Sequence, residues 1–342
     1  MTQTSGMGAM WLHKRVLAAS LIGTAVEFYD FYIYATAASL IFPSLFFPAS
    51  SPSAQLMASY GSLALAFLAR PLGAAVFGHY GDRIGRKATL VTSLMLMGGC
   101  TLLIGFLPTY LMIGFWAPLI LCVLRFGQGF GLGGEWGGAA LLAVENAPEG
   151  WRARFGMFPQ LGAPVGFIAA NGLFLLLGAF LTDAEFFAWG WRLPFLGSSV
   201  LVILGLWVRL KLTETPEFAA AQQEAPPPAV PLATLLSTHL GAAIAGTFAC
   251  AACFAVYYIA TAFALGYGTT ALKIDREIFL AIQLGAIMFM ALSIVIAGWW
   301  SDKSSPTRVL AWGCAGTLVM GIVFGPLIGT AALLPIFVAL SL

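Results

Sequence analysis

Residues 74–91 read AAVFGHYGDRIGRKATLV: an apolar stretch, a short glycine-rich turn crowded with charge, then a second apolar stretch. The turn holds Gly78, Gly81, Asp82, Arg83, Gly85, Arg86 and Lys87 between two segments long enough to cross a bilayer. Ionised groups at that density are too costly to leave in hydrocarbon, so the cluster belongs at a membrane surface. Only helices and closed barrels satisfy their backbones in lipid. Apolar runs of this length predict the helical case, an all-α polytopic membrane protein.

Composition agrees. Of 342 residues, 60% are hydrophobic and 9% charged, and the 27 phenylalanines outnumber all 16 lysines and arginines. Soluble domains average about 25% charged residues, so water is not the main solvent of this chain. The formal charge of +2 says little about partners. The lipid bilayer is the expected surrounding, and no nucleic acid partner is expected. The N-terminus carries no signal-cleavage pattern; its first apolar run continues into Glu27 and Asp30 and is expected to be retained.

A helix needs about 20 apolar residues to cross the hydrocarbon core. On that basis spans are expected near 16–46, 56–79, 88–107, 112–144, 153–181 and 190–210, then near 238–268, 277–300 and 308–330. A tenth apolar segment begins near Ala331. Between the sixth and seventh spans, Thr213-Glu-Thr-Pro-Glu-Phe218 and Pro226-Pro227-Pro228 break the apolar pattern and read as a linker. The expected organisation is a tail over 1–15, a six-helix half over 16–210, a linker over 211–235 and an incomplete second half over 236–342.

Orientation follows from where lysine and arginine fall. Lys14 and Arg15 precede the first span; Arg83, Arg86 and Lys87 follow the second, Arg152 and Arg154 the fourth, Arg209 and Lys211 the sixth, Lys303 and Arg308 the eighth. The alternate loops are poor in bases, with Arg192, Lys273 and Arg276 as exceptions. The N-terminus and the linker are therefore expected in the cytoplasm. The chain also repeats itself: Gly78, Asp82 and Arg83 are answered by Gly298, Asp302 and Lys303 at a constant offset of 220 positions. Parallel repeats of this kind build carriers whose halves rock around a central site.

Ionisable side chains inside spans normally face a cavity or a partner. Glu27 and Asp30 lie three residues apart and share a helix face, with Tyr34 four residues further on the same side. Two carboxylates so close tend to share a proton. They read either as a proton carrier or as a bridge to neighbouring helices. Arg70 in the second span, and Arg125 with Gln128 and Glu135 in the fourth, supply opposite charge and polar groups. An arginine keeps its proton and offers a fork matched to carboxylate. It can hold a substrate carboxylate or satisfy Glu27 and Asp30 in the empty state, and the two roles are compatible.

Other patterns read as packing. Gly129, Gly131 and Gly134 have the letters of a dinucleotide fingerprint but follow no strand, and glycines at this density let membrane helices approach. Pro159, Pro164 and Gly166 imply a bent, closely packed fifth helix. Cys250 and Cys253 have the spacing of a metal or redox pair but lie in an apolar run, where free cysteine behaves as a small hydrophobe. His79 and His239 fall at span ends; Tyr257, Tyr258 and Phe263 line a cavity or pack against lipid and core. Neither a metal nor another cofactor is expected.

The G-x-x-x-D-R-x-G-R-K turn over 78–87 resembles the loop between the second and third helices of major facilitator superfamily transporters. Residues 23–34, GTAVEFYDFYIY, with Leu68-Ala-Arg-Pro-Leu-Gly73 and 125–135, RFGQGFGLGGE, resemble its metabolite–proton symporter branch, and the likeness covers 11–218. That branch includes bacterial inner-membrane carriers for citrate, 2-oxoglutarate, shikimate, aromatic acids, proline and betaines. The resemblance implies proton-coupled symport of a small organic acid or zwitterion by alternating access, with the proton as coupling ion and no nucleotide. It also implies that Asp82 latches the cytoplasmic gate against the eleventh helix of a twelve-helix fold. The tenth segment reaches Leu342 after about 18 Å of a roughly 30 Å core. On this count the chain is expected to insert as a truncated carrier that does not complete alternating access, with low yield, self-association or proteolysis as the outcomes. Alternatives of other classes are a non-transporting relic, a membrane sensor on the same scaffold, or a membrane enzyme. The enzyme reading lacks a nucleophile–base or metal constellation.

Overall fold

Hydrocarbon cannot hydrogen-bond a peptide group, so a chain this apolar must satisfy its backbone within its own segments. The computed structural model describes residues 6–48, 51–84, 86–133, 143–210 and 237–341, and every regular element among them is helical. We label the principal helices α1 (Lys14–Leu40), α2 (Pro52–Ile84), α3 (Arg86–Phe106), α4 (Trp116–Leu132) and α5 (Arg152–Phe180). The series continues with α6 (Arg192–Leu210), α7 (Leu240–Thr270), α8 (Arg276–Lys303), α9 (Pro306–Gly329) and α10 (Leu333–Ser341). Within α7, the segment Ile259–Phe263 is π-helical.

Among the described residues six helices are long and apolar enough to cross a membrane: α1, α2, α5, α7, α8 and α9. Asp183–Gly190 and Arg192–Trp207, bent by 45°, add a seventh if they form one span, while Val91–Phe106 and Trp116–Leu132 are shorter apolar helices. Where the expected first span ran on to residue 46, the helix breaks at Ile41, and Pro43 opens the short helix Phe42–Phe46. The expected fourth span is interrupted at Gly114, whose φ of 60° suits glycine. The expected linker lies outside the described residues, as do Gly85, Gly134 and Glu135.

The charged turn takes a different form from the irregular loop expected. The helix of α2 continues through Gly78 and Gly81 to Ile84, and α3 begins at Arg86. With 33 residues, α2 is about 50 Å long and outreaches a core of roughly 30 Å. A helix end projecting past the hydrocarbon carries charge while keeping its own backbone bonds. The side chains of Asp82, Arg83, Arg86 and Lys87 lie outside the described residues.

Packing is organised by α1, buried on all sides from Tyr29 to Ser39 and along one stripe of Leu17, Ser20 and Thr24 before that. Against it runs α5, where Gly162 and Gly166, four residues apart, bring the two backbones together. A Cβ at Gly166 would lie 2.8 Å from both Ala25 O and Tyr29 N, and one at Gly162 would strike Thr24. The same crossing carries bonds from Thr24 Oγ1 to Pro159 O (2.8 Å) and from Thr36 Oγ1 to Asn171 Oδ1 (2.5 Å). On the other side, Gly129 and Gly133 of α4 and Gly73 of α2 put those backbones in contact, and Gly131 packs on Ser93 and Met97 of α3. Gly129 and Gly131, two of the three glycines that mimic a dinucleotide fingerprint, therefore join helices. At one end of the bundle, Phe42, Phe46, Trp191 and Phe195 form a buried edge-to-face cluster.

The backbone contact at Gly166 leaves no room for a side chain, whereas a Cβ at Gly23 meets nothing within 4 Å. We expect Gly166→Leu to abolish the monodisperse peak of detergent-extracted protein in size-exclusion chromatography and Gly23→Ala to preserve it. Equal behaviour of the two variants would contradict the α1–α5 crossing.

Candidate functional site

On α1, Glu27 and Asp30 are 4% and 1% exposed, and one helical turn separates them. On α4, Arg125 (2% exposed) and Gln128 stand at i and i+3 and face them. A chain of bonds links the two helices through α3. Arg125 Nη1 donates to Gln128 Oε1 at 3.2 Å, and Gln128 Nε2 donates to Thr101 Oγ1 at 2.7 Å. Thr101 Oγ1 in turn donates to Asp30 Oδ2 at 3.0 Å. The connection from guanidinium to carboxylate thus runs through two neutral side chains. Glu27, Asp30, Arg125 and Gln128 together line a cavity of about 10 Å³, enough for about one water.

The guanidinium of Arg125 lies 4.0 Å from the centre of the Tyr34 ring and 5.1 Å from that of Phe31. Aromatic faces of this kind attract a cation and replace part of its lost hydration. Its Nε and Nη2 have no hydrogen-bond partner among the described residues. Tyr34 is held by Ser62 Oγ at 2.7 Å. Arg70 approaches the same aromatic group, 5.7 Å from Phe31 and 5.5 Å from Phe67. Tyr258 of α7 closes the layer, 5.1 Å from Phe31 and 4.9 Å from Phe67.

Glu27, Asp30, Arg125 and Gln128 therefore come together, with Tyr34 and Arg70 on their flank. Thr101 escaped the sequence reading because a single threonine in an apolar span usually bonds its own helix, and this hydroxyl also lies 3.0 Å from Met97 O. A second, larger cavity of about 580 Å³ lies in the second half, lined by α7, α8, α9 and α10 and by Phe167 of α5. Cys253 borders it; the Cys250 side chain lies outside the described residues.

The repeated loop residues lie elsewhere, at one end of an antiparallel contact between α5 and α8. Asp302 Oδ1 accepts from Ala153 N at 2.8 Å and Oδ2 from Arg154 N at 3.1 Å, while Arg154 Nε stands 3.3 Å from Oδ2. A carboxylate on the free N–H groups of a helix start is favoured by the backbone dipoles as well. Gly298 permits the approach, since a Cβ there would lie 3.3 Å from Ala153 O, and Lys303 rests on the Trp299 ring at 3.9 Å. At the far end Arg276 binds Asp183 at 3.2 Å. Arg192 donates to Gly105 O and Leu107 O at 2.9 and 2.8 Å, capping α3. Two of the three bases that broke the expected charge asymmetry are thus engaged in structural contacts.

Residues 16–228 match the family described as sugar (and other) transporter. The inner membrane metabolite transport protein YhjE of Escherichia coli is 47% identical, over 94% of this chain and 80% of that protein. The shikimate transporter of the same organism is 41% identical over 96% of this chain and 73% of its own length. A putative proline/betaine transporter of Staphylococcus haemolyticus is 34% identical over 94% and 68%. Among solved structures, a D-xylose–proton symporter superposes with a TM-score of 0.71 at 19% identity, covering 96% of this chain and 79% of the other. That likeness shows the fold.

Replacing Thr101 by Val keeps the shape and removes the hydroxyl that joins Gln128 to Asp30. We expect a loss of about 1–3 kcal/mol, since a buried group is left unpaired. The loss would appear as a lower midpoint of thermal unfolding in detergent, with Thr101→Ser close to the parent. An unchanged midpoint for the valine variant would mean that this hydroxyl serves only its own helix.

Proposed function

The chain belongs to the sugar (and other) transporter family of the major facilitator superfamily, and on that premise we propose that it carries a small organic acid or zwitterion together with protons. It is a multi-pass membrane transporter whose relatives are named as carriers, not enzymes. We place it in the inner membrane with its N-terminus in the cytoplasm, as base placement and the YhjE likeness support. The observation that carries the reading is the buried Arg125, with two nitrogens open, joined through Gln128 and Thr101 to Asp30.

In the mechanism, ionised Asp30 balances the charge of Arg125 in the empty carrier. A proton arriving at Asp30, with Glu27 beside it, removes that balance and leaves the guanidinium in want of an anion. A substrate carboxylate supplies it, so proton and substrate each favour the binding of the other, and the coupling is reciprocal. A planar fork receives a carboxylate through two bonds, which a lysine cannot reproduce. A quaternary ammonium on a zwitterion would find the aromatic faces of Phe31, Phe67 and Tyr258 nearby. Phe31 and Tyr34 cover the guanidinium in this conformation, so substrate entry requires that layer to part. The shikimate and proline/betaine names of relatives support acids and zwitterions as the class to test.

The test is uptake of labelled shikimate and proline into proteoliposomes, with and without an inward proton gradient. We expect Asp30→Asn to lose gradient-driven accumulation while retaining exchange. Arg125→Lys should lose both by about tenfold or more, the scale of a coupling of 1–3 kcal/mol. Undiminished uphill transport by Asp30→Asn and by Glu27→Gln would refute the carboxylate role.

A further inference from the structure

In the second half, α8 carries Gln283 into the core at 3% exposure, opposite the π-helical turn of α7. In that turn Ala264 N bonds back five residues to Ile259 O, a widening often found at functional sites. Gln283 Nε2 donates to Ala260 O at 2.9 Å and Thr261 O at 2.7 Å. Ala262 O accepts from Ser39 of α1 at 3.1 Å and Tyr60 of α2 at 3.0 Å. Both Gln283 donors are thereby committed to α7, which fixes the amide with its oxygen pointing away. That Oε1 is buried and has no hydrogen-bond partner among the described residues; the same holds for the Tyr257 hydroxyl, just before the turn.

Both residues line the 580 Å³ cavity, whose walls are otherwise mainly apolar, with Phe167, Ile287, Met290 and Phe324 among them. Its volume suits a small metabolite. Buried polar atoms are nearly always bonded, so two orphans on one cavity wall call for a ligand. The cavity is joined to the cationic site by adjacent rings: Tyr257 lies 5.5 Å from Tyr258, which packs on Phe31, which in turn faces Arg125.

We infer that this cavity recognises the body of the transported acid, with Gln283 Oε1 accepting a hydrogen bond from a substrate hydroxyl or N–H and the Tyr257 hydroxyl bonding beside it. The inference rests on Arg125 as the carboxylate anchor and narrows the substrate to a compact acid with donor groups remote from its carboxylate. A betaine, whose quaternary nitrogen has no N–H, satisfies neither atom. Gln283 acts twice, as a clamp on the π turn and as a specificity residue; the Tyr257 hydroxyl, unlike its ring, which packs on Tyr32 and Tyr258, acts only on the ligand.

The experiment is competition against labelled shikimate on the purified chain in nanodiscs, using unlabelled shikimate and cyclohex-1-ene-carboxylate, the same ring acid without hydroxyls. We expect the parent to prefer the hydroxylated acid by roughly 100-fold, since a site built to bond a hydroxyl rejects the analogue lacking it. Tyr257→Phe, which leaves the π turn intact, should cut that preference about tenfold with little change for the plain ring acid, and Gln283→Leu should cut it at least as far. Equal affinity of the parent for both acids, or an undiminished preference in Tyr257→Phe, overturns the inference. If neither acid binds the parent, or if binding survives Arg125→Lys, the carboxylate anchor falls, and this inference with it.

Discussion

A guanidinium that keeps its proton, buried to 2% exposure in a hydrocarbon-spanning bundle, is the constraint that the surrounding structure answers. An uncompensated ion in such a place costs several kcal/mol. Compensation comes in two forms, the ring faces of Tyr34 and Phe31 and the relay through Gln128 and Thr101 to Asp30. The relay residues sit on α1, α3 and α4, so those helices must approach within hydrogen-bond reach. Apolar surface gives no net attraction between helices in lipid, and close backbone packing has to supply it. Gly129, Gly131 and Gly133 make α4 thin enough to lie against α2 on one face and α3 on another. The packing of the first half and the chemistry of its site are one problem with one solution.

The helix α5 extends that solution to the second half. It meets α1 at Gly162 and Gly166, and it meets α8 from Asp302 at one end to the Asp183–Arg276 pair at the other. Both ends use a carboxylate, but differently. Asp302 is seated on helix-start N–H groups, while Asp183 is exposed and so contributes less under salt. The π turn of α7 lies against this scaffold, tied to α1, α2 and α8 by side chains on its carbonyls. Those ties satisfy backbone groups that lipid would leave unpaired.

What the sequence disclosed and what it hid divide along the cost of the residues concerned. Glu27, Asp30, Arg70 and Arg125 stand out because ionised groups are expensive in a span, and the structure gathers them around one small cavity and its aromatic flank. Gln128 was legible through its place beside Arg125. Thr101 and Gln283 carry no charge and cost less to bury than an ion, so nothing in their local pattern marks them. The π turn depends on partners far along the chain, beyond the reach of any local periodicity. The charged turn was read as a loop, whereas α2 runs on to Ile84 and α3 begins at Arg86, because charge density carries no information about backbone conformation. Arg192 and Arg276, two of the exceptions to the base asymmetry, are engaged in structural contacts at helix ends.

The central claim is that occupation of the cationic site and protonation of Asp30 are one event. It is tested most directly by titrating the purified chain with shikimate by calorimetry in buffers of different ionisation enthalpy. The account predicts heats that vary with the buffer and give net uptake of about one proton per acid bound, lost in Asp30→Asn. Saturable binding with heats independent of the buffer in the parent chain would contradict it.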